Sequence, residues 1–99
     1  MILIVGLGNP GKEFENTRHN IGREIVIHFQ NKSGLGEFRF EKKWNAEVSE
    51  GTLQKKKVTL LLPDTMMNNS GKAIGSAARF YKVKPKNIYI IHDDADIPL

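Results

Sequence analysis

A chain of 99 residues, 39% hydrophobic and 26% charged, has the composition of a single globular domain. The absence of cysteine removes disulfides, thiolate nucleophiles and zinc–thiolate sites, which suits a cytoplasmic protein. No run approaches the ~18 apolar residues of a membrane span, no signal peptide is expected before the first apolar segment, and the net charge of +4 fits a soluble basic surface or a polyanionic partner such as RNA.

Met1–Val5 (MILIV) is a continuous apolar run, as expected of a strand buried on both faces. Residues 6–19 are rich in glycine and asparagine and read as a loop. A helix is predicted from about Asn20 to Lys32. Ile21, Ile25 and Phe29 recur every fourth residue on one face, Val26 lies beside them, and Ser33-Gly34 supplies the stop. Phe38, Phe40, Trp44, Ala46 and Val48 fall on alternate positions or nearly so and predict strand. Lys55-Lys56-Lys57 reads as a solvated hairpin turn rather than a phosphate patch, and Val58–Leu62 (VTLLL) as a second buried strand. Ser70 is placed to cap a second helix, whose Ile74, Ala77, Ala78 and Tyr81 stand at i, i+3, i+4 and i+7. Pro85 ends that region, and Ile88–Ile91 (IYII) forms a third apolar strand. This order predicts one α/β domain over 1–99, a mixed, mostly parallel twisted sheet flanked by helices. Because the chain stops at Pro98-Leu99 as another segment begins, the fold is expected to be incomplete at its C-terminus.

Gly6, Gly8 and Gly11 spell G-x-G-x-x-G directly after the first strand, the written form of a dinucleotide-binding fingerprint. Such a loop must turn straight into a helix whose N-terminus meets the pyrophosphate. Here Pro10 follows Asn9, the stretch KEFENTRH intervenes, and the acidic residue expected about 20 positions on, at the end of a second strand, is missing. A nucleotide-cofactor module is therefore a remote alternative. The glycines instead permit positive φ and close backbone approach at the end of the strand.

The three apolar strands each run into a polar motif: MILIV into GLGNPG, VTLLL into PDTMMNNSG, and IYII into HDDADIP. In open α/β sheets the ligand crevice lies outside the carboxyl ends of the strands. Parallel neighbouring strands would turn Asn9, Asn68 and Asp93 toward one cavity, with His19 above it. His19, His28 and His92 are too scattered for a metal site, and none is predicted. Residues 1–92 hold all 15 basic residues against eight acidic ones, while Asp93, Asp94 and Asp96 form an acidic lip.

GLGNPG, FENTRHNIG, PDTMMNNSGKA and HDDADIP, in this order and spacing, resemble the bacterial-type peptidyl-tRNA hydrolase family. The resemblance covers essentially the whole chain and implies a phosphorylase/hydrolase-like α/β fold. The implied activity is cleavage of the ester joining a peptide to the 3′ end of tRNA, without metal or organic cofactor. It assigns His19 as the general base that activates water, a role open to an imidazole of pKa about 6.5. Asp93 would hold that imidazole in its useful tautomer. Asn68 would bind substrate and aid the developing oxyanion, and Asn9 would lie near the peptide carbonyl. Phe14 stands where the family usually has tyrosine, keeping a ring to stack on RNA, and Met66 replaces the usual aromatic in an apolar pocket wall. Family members are longer, and their second half carries a GGHNG element with another active-site asparagine. Partners implied are peptidyl-tRNA and no membrane, with a monomer expected at full length and self-association open to the fragment. A non-catalytic tRNA-binding fragment is the alternative reading.

Overall fold

The computed structural model describes residues 1–7, 21–63 and 67–91, with backbone alone at 21 and 67–70. Five strands, β1 (Ile2–Gly6), β2 (Arg39–Glu41), β3 (Ala46–Leu53), β4 (Lys56–Pro63) and β5 (Ile88–Ile91), form one sheet in the order β2-β3-β4-β1-β5. Two helices, α1 (Ile21–Ser33) and α2 (Met67–Phe80), flank it. β4, β1 and β5 are parallel neighbours, whereas β2-β3-β4 is an antiparallel meander. The α/β class and the mixed sheet are those the sequence predicts.

Alternation along the strands explains why helices cover both faces. Leu3, Val5 and Leu7 pack with Leu61 against Ala73 and Ala77 of α2. Ile2 and Ile4 point the other way and join Val58, Leu60 and Leu62 around Val26 of α1. A strand with buried side chains on both faces reads as an unbroken apolar run, as MILIV and VTLLL do.

The helix limits differ slightly from the sequence reading. α1 runs one residue later at each end, and Gly34 stops it at φ +74°, its N–H reaching the Gln30 carbonyl at 3.1 Å. Its buried stripe is also rotated from the predicted one: Gly22, Arg23 and Val26 are buried, while Ile25 is 47% exposed. α2 begins at Met67, so Ser70 lies inside the helix and is not its cap. The periodic stretch from Ile74 to Tyr81 fixes the helix body but says little about its first turn.

The aromatic alternation predicted over Phe38–Val48 is interrupted. Trp44 sits in a single 3₁₀ turn, Lys42–Trp44, and Asn45 follows at φ 49°, closing the β2–β3 hairpin. Trp44 still reaches the core, packing edge-on against Phe80 at 5.4 Å between centroids. The Lys43 ammonium lies 4.1 Å from the Phe80 ring centre, a cation–π contact that accounts for an exposed phenylalanine there. Nearby, the Tyr81 hydroxyl donates to the Glu50 carboxylate. Burial, and then that carboxylate, push the phenol above its ordinary range, so it stays a donor.

The lysine run does mark a hairpin, with the turn one residue early. Leu53 pairs with Lys56 across Gln54 (φ 49°) and Lys55 (φ 68°), while Lys56 and Lys57 open β4. Two left-handed central residues define the mirror-image turn that matches strand twist, normally filled by Asn-Gly. Replacing Gln54-Lys55 with Asn-Gly is expected to raise stability by about 1 kcal/mol, since left-handed backbone is costly for side-chain-bearing residues. Chemical denaturation should show a higher midpoint with an unchanged slope.

Candidate active site

The parallel half of the sheet brings three strand ends together. Gly6 pairs with Ile91 and Val5 with Leu61, so β1 ends between β5 and β4. The Leu7 N–H extends the ladder one step to the Ile91 carbonyl at 2.9 Å. From this edge the chain continues into 8–20, 64–66 and 92–99, the segments carrying most predicted site residues. β4 and β5 lie on opposite sides of β1, which places the edge at a switch point of the kind where α/β sheets bind ligands.

Gly6 is also where the helix meets the sheet. A Cβ added there would stand 2.7 Å from the Gly22 carbonyl oxygen and 2.8 Å from Val26 Cγ2. The first turn of α1 thus rests directly on the end of β1. This explains the first glycine of the G-x-G-x-x-G pattern by close packing of helix on strand. Gly8 and Gly11 lie outside the described residues.

His19, Asp93, Asn9, Phe14 and Met66 also lie outside the described residues. What the structure does place is where their segments are anchored. Ile21, two residues after His19, opens α1, whose next residue touches Gly6. Ile91, two residues before Asp93, pairs with Gly6. Asn68 is the second residue of α2, five residues past Pro63, which closes β4, by chain position beside the same edge.

One residue of this region escaped the sequence reading. Arg23, in the first turn of α1, is only 8% exposed. Its Nη1 donates to the Pro63 carbonyl at 2.9 Å and its Nη2 meets Glu47 Oε2 at 3.2 Å. The signal available in the sequence was its position three residues before Val26, on the stripe facing the sheet, where a charge requires buried partners. Among the described residues no group of three or more metal-ligating side chains occurs, and no helix is long and apolar enough to cross a membrane.

These features define an open α/β domain in which adjacent parallel strands end together at one edge. The chain belongs to the peptidyl-tRNA hydrolase family, whose model matches residues 3–99. It is 45% identical over 98 residues to the peptidyl-tRNA hydrolase of Rhizobium meliloti, covering 99% of this chain and 40% of that protein. Against the peptidyl-tRNA hydrolase of Neisseria meningitidis serogroup A, identity is 48% over 96 residues, covering 97% of this chain and 50% of the relative. The crystal structure of peptidyl-tRNA hydrolase from Acinetobacter baumannii superposes with a TM-score of 0.90 at 39% identity, covering 98% of this chain and 49% of that one. The chain therefore spans about half the length of the relatives it matches.

Proposed function

We propose that residues 1–99 form the N-terminal portion of a single hydrolase domain that cleaves the ester between peptide and tRNA in peptidyl-tRNA. The observation carrying this reading is the convergence at Gly6. The helix that follows His19 and the strand that precedes Asp93 both abut that residue. Two extended residues reach roughly 7 Å, so anchors this close allow an imidazole and a carboxylate to meet.

In this reading His19 takes the proton of the attacking water, and Asp93 orients the imidazole and stabilises its cation. Asn68 donates to the developing oxyanion, an interaction worth roughly 10²–10³ in rate. Asn9 lies near the peptide carbonyl, Phe14 offers a ring to the RNA, and Met66 lines an apolar wall. The reaction needs no metal or organic cofactor. The protein acts in the cytoplasm during translation, as a monomer at full length.

Release of N-acetyl-amino acid from N-acetyl-aminoacyl-tRNA tests the proposal. The chain is expected to turn over this substrate, and His19→Ala to slow it about a hundredfold. Salt-sensitive tRNA binding without turnover would overturn the assignment in favour of a non-catalytic RNA-binding fragment, a reading that the half-length coverage keeps in view.

A further inference from the structure

We propose that Arg23 is a positioning residue for this reaction, an inference that rests on the hydrolase reading above. Its guanidinium spans three elements: it leaves α1, bonds the Pro63 carbonyl that closes β4, and pairs with Glu47 on β3. The two acceptors lie on adjoining strands at the same edge, for Pro63 pairs with Ala46 and Glu47 with Leu62. One planar fork thus ties the start of α1 to the point where β4 gives way to the segment containing Met66 and Asn68.

The chain distances make this consequential. Arg23 lies four residues after His19 in the chain, and Pro63 lies five residues before Asn68. Helix and strand could have packed at this position through an apolar side chain, as they do at Val26 and Leu62. A largely buried cation adds little net stability over such packing, but its two directed bonds fix one helix–strand offset where apolar contact would permit several. In the hydrolase reading, that offset sets how the start of α1, which follows His19 in the chain, stands to the end of β4, which precedes Asn68. Lysine, a single point charge on a flexible stem, cannot satisfy both acceptors in that geometry.

Arg23→Met and Arg23→Lys in the whole chain test the inference. Arg23→Met is expected to lower kcat on N-acetyl-aminoacyl-tRNA about tenfold or more while KM stays within about twofold, because misplacement by an ångström acts on the reacting geometry. Arg23→Lys should recover only part of kcat. In nitrogen-15 spectra the His19 imidazole and Asn68 side-chain amide resonances should shift in Arg23→Met, while those of the β3–β4 hairpin stay in place. Should Arg23→Met fail to fold, Arg23→Lys carries both measurements. A folded variant with unchanged kcat, or with unmoved His19 and Asn68 resonances, would overturn the proposal. If the unmodified chain shows no turnover, the hydrolase reading fails, and the resonances alone decide whether Arg23 couples the two segments.

Discussion

Gly6→Ala is expected to destabilise the chain by about 3 kcal/mol, at or beyond the upper end of ordinary overpacking. The added methyl would meet three atoms at once: the Gly22 carbonyl oxygen at 2.7 Å, Val26 Cγ2 at 2.8 Å and Leu62 Cδ2 at 3.0 Å. Relief by a rotamer change is blocked on each side. Gly22 contributes backbone of the first turn of α1, Val26 is fully buried, and Leu62 is 1% exposed. The helix must lift off the sheet, stretching the Arg23–Pro63 hydrogen bond as it goes. Urea denaturation is the direct measurement, with the loss appearing as a lower midpoint. A midpoint equal to that of the unmodified chain would show that α1 does not rest on Gly6 as described.

Leu60→Ala is expected to cost about 3–5 kcal/mol, the range for large-to-small changes in a well-packed interior. Leu60, Leu61 and Leu62 are consecutive and essentially inaccessible, so β4 has packing partners on both faces and on both edges. Leu60 belongs to the layer beneath α1, with Val26, Leu35 and Val58. A cavity there cannot collapse easily, because the opposite face of the strand is held by Leu61 against the α2 layer. In a domain of this size the unfolding temperature should fall by more than about 10 °C. The same truncation at Ile90, which is 47% exposed on the outer strand, should change it far less.

The contrast between β4 and β5 shows what sequence patterning can and cannot reveal. VTLLL and IYII look alike as apolar runs, and both are strands. Only the fold shows that β4 is enclosed while β5 forms the outer strand of the described sheet, with Tyr89 52% exposed. Partner number depends on strand order, which hydrophobic alternation does not encode. Parallel pairing at the motif-bearing strand ends was legible, since each apolar run led into a polar motif. The left-handed residues were not: Asn45 is a common occupant of that conformation, but Gln54, Lys55 and Lys82 are not; the β3–β4 hairpin pairing imposes it on the first two, and the bond from the Val83 N–H to the Ala78 carbonyl that closes α2 imposes it on the third. Arg23 escaped because a helical wheel scores an arginine as polar and cannot show two acceptors converging on it from other strands. The candidate site rests on its four motifs, most of whose named residues lie outside the described ones, whereas its scaffold was legible through periodicity.

The register of β1 has a consequence for how the chain is made. Ile2 pairs with Val58 and Leu3 with Ile88, so β1 leaves the ribosome well before either of its sheet partners. At a synthesis rate of roughly 5–20 residues per second, its apolar side chains wait several seconds, while the β3–β4 hairpin can close locally as soon as it emerges. Nascent-chain protease protection should therefore appear first in the hairpin and last at the amino terminus. The strand that joins the two parallel pairings is made before both of its partners and is sheltered only once they arrive.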